Sequence, residues 1–150
     1  MKSADNIYAK RAEELTDCNY DFRYASNLPK KLRIDYTNSS WKPKPCINTA
    51  TSVYDKYNTC TYCPHFVEHP EKWGFVEVED PKAGDMIVLF NSERAYHVGI
   101  LVGNSILGPI MNHAAAGKGY IKHDYVIRFK MSSKVKDIKY YRYTKPAENS

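Results

Sequence analysis

The order of patterns along the chain predicts an α+β domain, with helices first and a small antiparallel sheet second. Two observations carry this. Apolar residues recur at helical steps near residue 5 and again from Cys46. After residue 85 the chain instead breaks into short apolar runs separated by turn residues. The length of 150 residues makes one domain over 1–150 the simplest organisation and allows a core without disulfide staples.

Residues 5–15 read as a short amphipathic helix, because Ile7, Tyr8, Ala12 and Leu15 lie near helical spacing. Residues 17–45 are polar, aromatic and rich in Pro and Asn, and read as irregular. "WKPKPC" is extended there, since a residue before proline avoids helical backbone. From Cys46 the positions Cys46, Ile47, Ala50, Val53, Tyr54 and Tyr57 return at helical steps. They predict a helix of about three turns opening at or beside Cys46. "NTCTYCPHFVEHPEKWG" reads as an inserted loop. "MIVLF" is a continuous apolar run suited to a buried strand. "HVGILV" is a second, ending at the "GNS" turn signal, and "PIMNHAA", "YVIRF" and "IKYYRY" read as further strands.

Composition narrows the function classes. Apolar residues make up 43% and charged residues 26%, which excludes a disordered chain. No run of 18 apolar residues exists, so no membrane-spanning helix and no membrane partner are expected. Tyrosine is abundant, 13 against 5 Phe and 2 Trp, which suits half-buried strand positions or a sugar- or peptide-binding surface. The net charge of +5 is spread along the chain, so nucleic acid is not an expected partner. Only "KVKDIKYYRYTK" concentrates it, and that stretch reads as a strand with a solvated cationic face. "MKSADNIYAKRAEEL" lacks the apolar run of an export signal, so the expectation is a chain made in a cytosol.

The cysteines are Cys18, Cys46, Cys60 and Cys63. Without an export signal, catalysis or metal binding comes before disulfides. A cysteine opening a helix sits where unpaired N–H groups and the dipole favour its thiolate. The same N–H groups suit the oxyanion formed when a carbonyl is attacked. An imidazole that takes the thiol proton completes the pair, and His97, at the mouth of "HVGILV", is the candidate. A third polar group must orient that ring, and "MNHAAAGKGY" offers His113 or Asn112. Strand alternation puts these two on opposite faces, so only one can serve.

"PKAGDMIVLF", "AYHVGILVGNS" and "NHAAAGKG" together resemble the second half of the NlpC-type cell-wall cysteine peptidases, over roughly residues 45–130. The matching residues are Gly84-Asp85, His97-Val98-Gly99-Ile100 and His113-Ala114. The resemblance implies a papain-like fold, with a Cys-opened helix packed on a small antiparallel sheet. It further implies a thiol hydrolase cutting an amide bond in peptidoglycan peptides, with Cys46, His97 and His113 as triad and no cofactor. His113 rather than Asn112 fills the "HA" position. The family's Asp-Cys-Ser-Gly is replaced by Pro45-Cys46-Ile47-Asn48, and an Asp-Cys occurs instead at Asp17-Cys18. Cys18 is followed by alternating Tyr20, Phe22 and Tyr24 with no helical period, which favours Cys46. Tyr36 is the candidate for the family's substrate-binding tyrosine.

All four cysteines precede His97, the reverse of the order in permuted acyltransferase relatives, which argues against lipid substrates. A wall substrate implies delivery by a phage particle, lysis machinery or contact-dependent secretion. The chain is then a monomer or part of a larger particle. The competing expectation is a module of the same fold without turnover. Cys60, Cys63, His65 and His69 have zinc-ligand spacing, with Cys60, Cys63 and His69 the best three, but no second half follows. A reduced, solvent-facing loop or a local disulfide are the plainer readings. "GKG" at 117–119 is not a phosphate loop, because the required Gly five positions earlier is Asn112.

Overall fold

A computed structural model describes residues 6–14, 50, 53–54, 63–114 and 121–145. Three short α-helices and six strands are bounded within these residues. They are α1 (Ile7–Glu14), α2 (Cys63–Glu68) and α3 (Val126–Lys130), with β1 (Phe75–Val78), β2 (Met86–Phe90), β3 (Ala95–Ser105), β4 (Gly108–Ala114), β5 (Ile121–Tyr125) and β6 (Asp137–Tyr143). The strands form one antiparallel sheet in the order β1-β6-β2-β3-β4-β5. This is the α+β arrangement expected from the sequence.

β2 and β3 lie inside the sheet and are apolar on both sides, so their runs do not alternate. On one face Met86, Val88, Val98, Ile100 and Tyr141 meet Ala12 of α1 and Cys63 and Phe66 of α2. Ala50, Val53 and Tyr54 are helical and join this core, at most 4% exposed. Their spacing is the helical period read from Cys46 onward. On the other face Ile87, Leu89, Leu101 and Met111 meet Val126 of α3, flanked by Phe129, Val135, Ile138 and Tyr140. Two tyrosines are wholly or almost wholly buried. Tyr54 stacks edge-on against Phe75, and Tyr141 against Phe66, at centroid distances of 4.9 and 5.2 Å.

α1 starts where the side chain of Asn6 accepts hydrogen bonds from the N–H groups of Tyr8 and Ala9, an N-cap. It buries Ala9 and Ala12, while Ile7 is turned to solvent, so its inner face is rotated from the expected one.

Gly84-Asp85 ties several elements together. Gly84 has φ +94°, and a side chain there would collide with Asn6. The Gly84 carbonyl accepts a bond from the Tyr54 hydroxyl at 2.7 Å. The backbones of Gly84 and Asp85 exchange bonds with Leu101 on β3. The Asp85 carboxylate, 5% exposed, accepts Arg142 of β6 at 3.0 and 2.8 Å and the Lys82 N–H at 2.8 Å. A helix, an N-cap, β3 and β6 therefore meet at one dipeptide.

Four expectations change. "CPHFVE" is a helix where an inserted loop was expected, and the strand "FVEV" begins directly after that stretch. Phe66 and Phe75 are wholly buried, and this hydrophobic anchoring holds both short elements in place. "YVIRF" is not a strand: β5 ends at Tyr125 and Val126–Lys130 is helical. Only Val126 of that run is fully buried, because Ile127 turns outward as a helix requires. The chain does not turn at "GNS" either. β3 continues through Ser105, with a register shift between Leu101 and Gly103, and the two-residue turn is Ile106-Leu107. Finally, β6 is an interior strand between β1 and β2, and its Arg142 is held by Asp85 rather than simply solvated.

Candidate active site

His97 is the third residue of β3 and His113 the next to last of β4, so both lie at the same end of the sheet. A register irregularity at the start of β3 leaves His97 opposite Leu89 and Ala95 opposite Phe90. His97 Nε2 lies 2.8 Å from His113 Nδ1, with the rings nearly perpendicular at 82°. The close approach depends on Gly99. A Cβ there would stand 2.5 Å from Met111 Cε, 3.0 Å from the Asn112 carbonyl oxygen and 3.2 Å from His113 Cβ. The glycine of "HVGI" is thus the space into which the β4 side chains pack.

Asn112 faces the other way. Its amide donates to the carbonyl of Ala12 in α1. Asn112 is therefore engaged with the helical layer, and His113 is the residue of the two that meets His97.

A third group completes the line, and sequence reasoning missed it. His113 Nε2 lies 2.7 Å from Asp124 Oδ2 on β5. Asp124 Oδ1 accepts Arg128 Nη1 at 2.8 Å, and Lys122 Nζ lies 3.4 Å from Oδ2. The register pairs His113 with Lys122 and Met111 with Asp124, so Asp124 is the diagonal neighbour of His113 on one face. Phe129 of α3 packs edge-on against the His113 ring at 5.6 Å. The side chains of His113 and Asp124 are only 4% and 10% exposed.

Burial sets the electrostatics. It lowers the His113 pKa to about 4, helped by the neighbouring charge of His97 and opposed by the bond to Asp124. His113 is therefore neutral at pH 7. Burial pushes the Asp124 pKa up, but the hydrogen bonds from His113 and Arg128 outweigh it, and the carboxyl ends below its ordinary value. The row is an imidazole, a neutral imidazole and a carboxylate, anchored by two cations. Such a row can hold one ring orientation and absorb the charge formed when the outer imidazole takes a proton.

The remaining candidates fall elsewhere. Cys46, Cys18, Cys60 and Tyr36 lie outside the described residues, as do "WKPKPC" and "GKG". His97 and His113 sit on the sheet face that carries α3, whereas Ala50, Val53 and Tyr54 pack on the opposite face. Cys63 is a thiol buried in the apolar core at the start of α2, so it is not in a solvent-facing loop. His69 is 66% exposed and bonds Glu71 at 3.2 Å. Among the described residues no three His, Cys, Asp or Glu side chains are grouped to hold a metal ion.

Among solved structures, an N-acetylmuramoyl-L-alanine amidase from Bacteroides uniformis superposes with a TM-score of 0.61. The match covers 93% of this chain and 98% of that one, at 10% sequence identity. The two chains share a fold. A second structure of a Bacteroides uniformis N-acetylmuramoyl-L-alanine amidase matches at a TM-score of 0.39 and 14% identity, over 92% of this chain and 82% of that one. A Bacteroides fragilis protein assigned as a xylanase matches at 0.38 and 16%, over 91% and 84%. Those two scores are too low to imply a common fold. No protein-family model matches the sequence, and no curated protein matches it.

Proposed function

We propose that the chain is a papain-like thiol hydrolase that cuts an amide bond in peptidoglycan peptides, with Cys46 as nucleophile, His97 as base and then acid, and His113 as orienter. The observation that carries this is the hydrogen-bonded row His97, His113 and Asp124. It is what an imidazole base needs at its back, and it stands on a fold shared with a muramoyl-alanine amidase. In this reading the Cys46 thiol gives its proton to His97 and the thiolate adds to the carbonyl carbon. The carbon–nitrogen bond then breaks as His97 returns the proton to the leaving amine. Water hydrolyses the thioester, with His97 again taking and returning the proton, and the thiol is restored. Early helix N–H groups, that of Cys46 included, receive the oxyanion.

The reading makes one geometric demand. Ala50 packs on the sheet face opposite His97, so the four residues back to Cys46 must pass the end of the sheet. Four residues span about 6 Å as helix or about 13 Å extended. His97 lies close to the end of β3, so the reading requires the thiol to come to that end of the sheet. The same observation favours a second reading, a module of this fold without turnover, in which no thiol reaches His97.

Incubation with purified peptidoglycan, followed by mass analysis of released fragments, separates the two. Cys46→Ala should abolish release while thermal unfolding is preserved, a loss of several orders of magnitude in rate. Near wild-type turnover in Cys46→Ala, with Cys18→Ala inactive, transfers the role to Cys18. No turnover by the wild type, together with slow labelling of Cys46 by a thiol reagent, establishes the inert module.

A further inference from the structure

We propose that Asp124 is a positioning residue that selects the tautomer of both histidines and so makes Nδ1 of His97 the nitrogen that takes the proton. Its catalytic meaning rests on the thiol-hydrolase reading; its chemistry does not.

Asp124 is ionised at neutral pH, held by Arg128 on Oδ1 and approached by Lys122 at Oδ2. A carboxylate only accepts, so the proton between Asp124 Oδ2 and His113 Nε2, 2.7 Å apart, belongs to the histidine. Neutral His113 carries one ring proton, and with that proton on Nε2 its Nδ1 holds a lone pair. That lone pair lies 2.8 Å from His97 Nε2. Two lone pairs cannot face each other at this distance, so His97 Nε2 carries the hydrogen and donates it. Neutral His97 then has its free lone pair on Nδ1, the ring atom turned away from His113. When His97 accepts a proton there, the imidazolium still donates to His113, and the charge is felt by Asp124 through the intervening ring.

Without the carboxylate no other described residue fixes the direction of the row. His113 could place its proton on Nδ1 and donate to His97 Nε2. His97 would then carry its own proton on Nδ1 and could not act as a base there. A charge-assisted bond to Asp124 should bias the row by roughly ten- to a hundredfold toward the productive direction. Among the described residues the neighbours of the two rings are Leu89 opposite His97 on β2, Tyr96 beside the His97 ring, Gly99 against His113, Lys122 and Asp124 on β5, and Phe129 on α3. Among the described residues only Asp124 carries a negative charge against His113.

The test reads the rings directly, on the full chain labelled with 15N-histidine, by long-range 1H–15N correlation at pH 7. His97→Gln and His113→Gln assign the signals. The expected wild-type result is the Nε2–H tautomer for both histidines. In Asp124→Ala the two should shift together toward a mixture with the Nδ1–H form. In the hydrolysis assay kcat should fall tenfold or more with KM little changed, and Asp124→Glu should recover part of both signals. If Asp124→Ala does not fold, Asp124→Asn, which keeps the size, gives the same reading. Wild-type His97 in the Nδ1–H form, or unchanged tautomers in a folded Asp124 variant, overturns the proposal. Correct tautomers in a protein that releases no peptidoglycan fragments overturn only the hydrolase reading.

Discussion

Burial of neutral His113 should make the protein acid-labile well above the pH at which its carboxyl groups titrate. In the folded chain His113 has a pKa of about 4, against 6.5 for an exposed histidine, because charging it would place a cation in a site only 4% exposed beside His97. Between those two values the unfolded chain binds a proton that the folded chain does not. Stability therefore falls as pH drops through 6.5 and stops falling from this source near pH 4. A separation of about 2.5 pKa units at 1.36 kcal/mol each corresponds to about 3 kcal/mol lost between pH 7 and pH 4. For a chain of this size that lowers the melting temperature by roughly 6–12 °C. Asp124 acts in the same direction at lower pH, since its depressed pKa contributes stability that is lost as pH falls through the folded value. The assay is urea unfolding at pH 7, 6, 5 and 4 for the wild type and His113→Gln. Glutamine can still donate to Asp124 but does not titrate. The variant should start less stable and show a much flatter dependence on pH. Equal slopes in the two proteins, or a wild type whose stability is flat across this window, would show that His113 is not buried as a neutral ring.

Two further outcomes follow from the packing. Gly99→Ala should destabilise by about 1–3 kcal/mol in chemical unfolding, because its Cβ meets backbone and the His113 Cβ and not only the flexible end of Met111. By displacing His113 it should also perturb the His97–His113 hydrogen bond, read from the histidine ring 15N shifts. Asp85→Ala should cost about 2 kcal/mol, below the usual figure for breaking a buried pair because the Arg142 side chain is 37% exposed. A double-mutant cycle with Arg142→Ala should return most of that as coupling energy, and additive losses would show that the pair is not what Asp85 contributes.

The amino-acid sequence by itself determined the buried heart of the sheet. "MIVLF" and "HVGILV" are apolar runs of strand length, rich in β-branched residues and bounded by turn residues, which marks them as strands buried on both faces. It also determined the helical period through Ala50, Val53 and Tyr54, and that His113 and Asn112 could not both face His97. Each of these depends on residues close together in the chain. The elements that were misread or not foreseen are those whose conformation depends on a distant partner. A six-residue helix and a four-residue strand are too short to display a period, and Phe66 and Phe75 hold them by entering a core formed elsewhere. "YVIRF" carries no local mark distinguishing the end of a strand from the start of a helix. Where β6 sits, between β1 and β2, is a matter of pairing across more than 40 residues. Asp124 shows the same limit inside the site. Nothing in "IKHDYV" marks its acid, because its role is given by the β4–β5 register that sets it diagonal to His113. Register is decided by which side chains the two faces of the whole sheet must bury. Only the tertiary structure could therefore turn a histidine pair into an oriented row ending in a carboxylate.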